Sequence, residues 1–188
     1  MARRKLALGI GLLVAATVPT RRAQPPKLEL ECFEAVNGLP DSLYPPVWPV
    51  MQFGALAAVP VTAGAVWLAG DRGRAARLLA GGTAAWVMAK AVKRVIRRGR
   101  PATVEPNVRV RGHEQSGDGF VSGHAAVAVS LAAGAVRSVP MLDPVLAVLA
   151  TTVGLSRMYV GAHLPLDVLG GAALGLIVDA TIELAWPT

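Results

Sequence analysis

The sequence predicts an all-α membrane protein: a polytopic bundle of about six transmembrane helices with a short amphipathic interfacial helix after the first. Three observations carry this expectation. Of 188 residues, 53% are hydrophobic and only 16% charged, and the mean hydropathy is positive, which is too apolar for an ordinary soluble domain of this size. The apolar residues are gathered into runs separated by polar breaks. Glycine is abundant, at 20 residues, while aromatic residues make up 5%, a balance that suits helices packing closely in lipid through small side chains.

The first run, residues 6–18, follows Arg3, Arg4 and Lys5. It is short for a span, which usually needs ~20 residues. Pro19, Thr20, Arg21 and Arg22 follow it without a clear small-residue cleavage pattern, so it reads as an uncleaved first helix in preference to a signal peptide. In the mixed stretch at 21–46, Leu28, Leu30, Phe33 and Val36 interleave with Glu29, Glu31 and Glu34, the spacing of a short amphipathic helix lying at the interface. Five further apolar segments are expected at about 47–70, 78–96, 125–139, 144–159 and 168–186, with polar breaks at 71–77, 97–121, 140–143 and 161–165. No internal repeat or low-complexity tract divides the chain, so a single membrane domain over residues 1–188 suffices.

The lone cysteine, Cys32, excludes an internal disulfide and any multi-cysteine metal site. The formal net charge of +7 is compatible with nucleic acid, an anionic membrane surface or an anionic substrate. Placement decides among them. The cations lie at helix ends and do not form a basic face on a soluble domain, which argues against a nucleic-acid partner.

If all six segments cross the bilayer, the end of the third, the start of the fourth and the junction of the fifth and sixth share one side. Those places hold Lys93 and Arg100; Ser122, Gly123 and His124; and Ser156, Arg157, His163 and Asp167. Charges near membrane depth are costly and are usually retained for function. Lys93 and Arg100, seven residues apart, are placed by two helical turns on one face, with Pro101 ending the segment. Arg94, Arg97 and Arg98 read as a basic cluster that anchors a helix end at lipid head groups. Ser122 is placed to cap the helix that follows, and Gly123 lets an anion approach the free amides there. His163 and Asp167 are four apart, so the carboxylate reaches the imidazole if the turn around Pro165 is helical, which would leave the far ring nitrogen free to attack. Taken singly, each of these stretches is also compatible with a structural turn, a head-group anchor or an interfacial histidine.

Together the three stretches resemble the signature of the type 2 phosphatidic acid phosphatase family, which shares its catalytic arrangement with vanadium haloperoxidases. Lys-x6-Arg-Pro is matched by Lys93, Arg100 and Pro101. Pro-Ser-Gly-His is matched by Ser122, Gly123 and His124, with Val121 in place of the proline. Ser-Arg-x5-His-x3-Asp is matched in full by Ser156, Arg157, His163 and Asp167. The resemblance implies His163 as nucleophile, Asp167 as the acid that orients it, and His124 as the donor of a proton to the leaving oxygen and later the activator of water. It implies Lys93, Arg100, Arg157, Ser122 and Gly123 as the groups that hold the phosphate. No metal or other cofactor is implied, since three cations supply the charge that metal ions bring elsewhere. His113 and Asp118 match no motif position and read as surface residues placed to touch a head group.

The expected partner is a membrane lipid phosphate: a polyprenyl diphosphate, phosphatidylglycerol phosphate, phosphatidic acid or a polyprenyl-phosphosugar phosphate. The expected location is the inner (plasma) membrane, with the site on the extracytoplasmic face. Against that orientation, the outer side would carry more Lys and Arg than the inner side, and Arg97, Arg98, Arg109 and Arg111 have no phosphate to explain them. The competing readings are a non-catalytic lipid-phosphate binder and a vanadate-dependent haloperoxidase.

Overall fold

The computed structural model describes residues 1–20, 22, 24–135 and 143–186. Among these residues there are nine α-helices and no strand: α1 (Ala2–Thr20), α2 (Lys27–Asn37), α3 (Tyr44–Met51), α4 (Ala58–Leu68), α5 (Arg72–Val95), α6 (Pro101–Val104), α7 (Gly123–Ala135), α8 (Asp143–Tyr159) and α9 (Pro165–Ala185). Most of the break expected at 140–143 and the end of the segment expected at 125–139 lie outside the described residues.

Two segment boundaries differ from the sequence expectation. The run at 47–70 is not one helix. It is a pair, Asp41–Gly54 and Ala58–Leu68, bent by 71°. The break falls after Gly54, where Ala55 takes extended backbone. At Gly54 the backbone is pressed so closely on α7 and α8 that an added Cβ would lie 2.6 Å from both the His124 carbonyl oxygen and Val153 Cγ1. Conversely, the polar stretch at 71–77 is helical. Asp71 accepts the Arg74 amide hydrogen at 2.9 Å and caps α5, so Arg72, Arg74 and Arg77 form its first turns. By length and apolarity, α9 alone among the described helices is sufficient to cross a membrane, and the bent α3–α4 pair makes a second if counted as one broken span.

The central element is α7, which packs against α9, α5 and α8, while α1 lies along α9. Small residues set these distances. A Cβ at Gly171 would collide with the Ser122 carbonyl, and one at Gly175 would come within 2.5 Å of the Ala126 carbonyl, so α9 approaches α7 backbone to backbone through two glycines four residues apart. At the end of the bundle away from the three motifs, Lys5 of α1 pairs with Asp179 and, at 2.7 Å, with Glu183 of α9. Large apolar side chains including Val14, Val61, Trp67, Leu68, Val87, Val148 and Leu184 stay exposed on the outer helix faces.

Candidate active site

The three motif stretches converge at one end of the bundle, and backbone and side-chain bonds stitch them together. From the first stretch, Lys93 donates to the carbonyls of Asp118 and Gly119 at 2.8 and 2.7 Å, immediately before the second. The Gly119 amide returns a bond to the Arg98 carbonyl at 2.7 Å. The Ser122 amide donates to the Asp167 carbonyl at 2.8 Å, tying the second stretch to the third. Arg100 closes the ring, donating to the carbonyls of Gly117 at 2.9 Å and Ala162 at 2.7 Å.

Each site residue has a local structural cause. The helix carrying Lys93 ends at Val95, before Gly99 and Pro101, so Arg100 stands in extended backbone. The expectation that Lys93 and Arg100 share a helical face is thus corrected: the loop, not the helix, brings them together, and Pro101 starts α6. Ser122 is fully buried and its hydroxyl accepts the Ala125 amide hydrogen at 3.4 Å, so α7 opens at Gly123 with His124 in its first turn. Arg157 sits in the last turn of α8. The chain then turns at Gly161, where φ is +76° and a side chain would strike the Arg109 carbonyl, a conformation open to glycine. His163 follows two residues ahead of α9.

His163 and Asp167 are both buried, and His163 Nδ1 lies 3.5 Å from Asp167 Oδ2. That is an ion-pair contact longer than a formed hydrogen bond, and Nδ1 has no hydrogen-bond partner among the described residues. Asp167 Oδ2 also accepts the Leu164 amide hydrogen at 2.9 Å, which fixes the carboxylate at the start of α9. Burial pushes the His163 imidazole down to about 4. Asp167 opposes this, and the charges of Lys93 and Arg157 add to it. Burial also lowers Arg100, with Asp167 and Asp118 opposing. His124 lies within electrostatic range of Arg157, His163 and Lys93, so both imidazoles and the cations form one cluster.

This cluster is suited to an anion. Lys93 has used two of its three protons on carbonyls, and the buried Nε of Arg157 has no hydrogen-bond partner among the described residues. A cavity of about 230 Å³ opens beside Arg100, Gly161 and Ala162, with exposed His113, Glu114 and Gln115 on its far wall. Among the described residues no group of three or more His, Cys, Asp or Glu side chains is placed to hold a metal ion.

The PAP2 superfamily pattern matches residues 74–186, more than half of the chain and all three stretches. The chain belongs to the PAP2 superfamily. Two solved PAP2-like folds are close in shape. Aquifex aeolicus LpxE superposes with a TM-score of 0.76 at 23% identity, covering 87% of this chain and 99% of that one. The transmembrane PAP2 type phosphatidylglycerolphosphate phosphatase of Bacillus subtilis superposes with a TM-score of 0.69 at 24% identity, covering 98% and 94%. The decaprenylphosphoryl-5-phosphoribose phosphatase of Mycobacterium tuberculosis is 37% identical over 106 residues, 55% of this chain. The match spans 56% of the length of that relative.

Two arginines of this PAP2 protein, Arg98, expected as a head-group anchor, and Arg111, left without a role by the motifs, are buried. Arg98 is buried and donates to Glu29 at 2.6 Å and to Asp167 at 2.8 Å, so it is not a head-group anchor. Its pKa is raised: burial opposes the charge, but the hydrogen bonds and charges of Glu29 and Asp167 outweigh it. Arg111 is also buried. It donates to the carbonyls of Asn37, Leu39 and Tyr159 and to Asp41, and its guanidinium lies 4.1 Å from the centre of the Tyr159 ring. Arg109 is anchored through its backbone amide to Asn37 at 2.9 Å. Of the residues given no motif role, His113 is exposed beside the cavity and Asp118 is half-buried, its carbonyl held by Lys93. The signal for Glu29 was present in the pattern. Glu29, Phe33 and Asn37 recur every four residues and form the buried face of α2, whereas Leu28, read as apolar-face, is 71% exposed.

Proposed function

We propose that the protein is a membrane lipid phosphatase that cleaves a phosphomonoester or diphosphate head group through a phosphohistidine, without a metal. The observation that carries this is the buried His163–Asp167 pair set among Lys93, Arg100, Arg157 and His124. With Nδ1 turned to Asp167, Nε2 of the neutral His163 is the ring nitrogen left to attack phosphorus. Lys93, Arg100, Arg157, Ser122 and the Gly123 amide hold the non-bridging oxygens, where charge accumulates during phosphoryl transfer. His124 protonates the leaving oxygen, then takes a proton from the water that hydrolyses the phosphoenzyme.

The relative that acts as a decaprenylphosphoryl-5-phosphoribose phosphatase supports a polyprenyl-phosphosugar phosphate as the substrate class, ahead of the polyprenyl diphosphate and glycerolipid alternatives. An apolar groove of about 610 Å³ between α7, α8 and α9 begins at Met158 and Pro165 beside the site, which suits a lipid tail that stays in the bilayer. We read the chain as one domain of about six spans in the inner membrane, with the bent α3–α4 pair as one of them and the site facing outward. Arg98 and Arg111 are buried in ion pairs, which gives both a structural reason to lie on the side of the site.

The test is phosphate release from a panel of lipid phosphates by purified protein in detergent with EDTA. Turnover is expected with EDTA present, vanadate should inhibit it, and His163→Ala should lower it by about a thousandfold or more. His124→Ala is expected to cost roughly 100- to 10,000-fold. Persistent activity in His163→Ala refutes the nucleophile, and a requirement for divalent metal refutes the cation argument.

A further inference from the structure

The carboxylate that faces His163 is gripped from its other side by a charge pair outside the motif positions. Arg98 donates through Nη1 to Asp167 Oδ1 at 2.8 Å and to Glu29 Oε1 at 3.0 Å, and through Nη2 to Glu29 Oε2 at 2.6 Å. Glu29 Oε1 also accepts the Leu166 amide hydrogen at 3.0 Å, in the first turn of α9. Glu29, Arg98 and Asp167 are all buried. Such a triad is weak support for stability, because desolvating the charges offsets most of their attraction. Its geometric effect is clearer. Oδ1 of Asp167 is held by Arg98 and Oδ2 by the Leu164 amide, so the carboxylate plane is fixed with Oδ2 toward His163.

We propose that Arg98 and Glu29 are positioning residues for the catalytic pair: Arg98 clamps the carboxylate that orients His163, and Glu29 locks the Arg98 fork. The orientation of the nucleophile then depends on the docking of α2, a helix that precedes all three motifs. Only a planar guanidinium presents parallel donors to one carboxylate while reaching a second. Arg98→Lys therefore keeps the charge and loses the clamp. The inference rests on the reading of His163 as nucleophile, and its test is built so that the two can fail separately.

The protein has three histidines, His113, His124 and His163, so ring nitrogen resonances of ¹⁵N-histidine-labelled full-length protein in detergent can be assigned by single substitutions. Glu29→Gln and Arg98→Lys are expected to move the His163 resonances while leaving His113 in place. In an Asp167→Asn background Glu29→Gln should move them no further, because the link between the two is gone. In turnover, both variants should lower kcat about 10- to 100-fold, the range for groups one layer removed from the chemistry, with KM little changed. Should Glu29→Gln fail to fold, Arg98→Lys carries the same two measurements. Unmoved His163 resonances overturn the proposal, and so does an equal loss of kcat in the wild-type and Asp167→Asn backgrounds. Moved resonances in a protein that releases phosphate from no lipid uphold the clamp and refute the phosphatase reading.

Discussion

The proposed role of His163 as nucleophile requires a free lone pair on its imidazole, and burial favours that state. With its pKa depressed from 6.5 to about 4, the ring stays neutral through the interval in which an exposed histidine would take up a proton. The sign follows for stability. Below 6.5 the unfolded chain binds a proton that the folded one refuses until about 4, so this group lowers stability as pH falls across that window. In kcat/KM, corrected for the substrate's own titration by ³¹P shift, the acid limb due to the nucleophile is expected near 4, and a limb near 6.5 would contradict it. Gly123 offers a second test at this scale. A Cβ there would meet only Ala89 Cβ, at 3.9 Å, so Gly123→Ala should fold normally. If the Gly123 amide holds phosphate, the methyl should obstruct the oxygens and lower kcat/KM by roughly 100-fold at unchanged Tm. Unaltered kinetics would remove Gly123 from the site.

At the scale of elements, contacts between helices decide the geometry more than the helices do. α9 reaches α7 only because Gly171 and Gly175 carry no side chain, and the atom facing Gly171 is the carbonyl of Ser122. Gly171→Ala should therefore cost about 1–3 kcal/mol and several degrees of Tm in detergent. It should also lower kcat per folded molecule, because relief of the clash moves Ser122. Gly64→Ala, where nothing lies within 4 Å, is the control and should leave both unchanged. Equal behaviour of the two variants would show that the α7–α9 approach does not set the site. The element that pattern reading served least well is α2. Its amphipathic period was legible, but the inward direction of its polar residues was not: Glu29 and Asn37 point to Arg98, Arg109, Met158 and Tyr159. A buried polar face is recognisable only once its partners are known, and these lie between 69 and 122 residues away.

For the whole molecule, the chain contains its own probe of the proposed membrane orientation. Cys32, the sole cysteine, is exposed on α2, the helix that Glu29 ties to Arg98 and Leu166 at the active-site end. A membrane-impermeant maleimide applied to intact spheroplasts should label Cys32 if the site faces outward. Labelling that requires permeabilisation would reverse the assignment.

The sequence by itself determined the helical class, most of the apolar segments and the family, because each follows from local periodicity or from residue type at fixed spacing. It also proposed the eight candidate site residues, since the motifs that suggest them are carried by order along the chain. Only the tertiary structure decided that 47–70 bends around α7, that Arg100 reaches its place from a loop, and that Arg98 and Glu29 stand behind Asp167. Whether an arginine is surface charge or a buried clamp depends on which carboxylate the fold delivers to it, and that is a property of distance in space, for which separation in sequence holds no record.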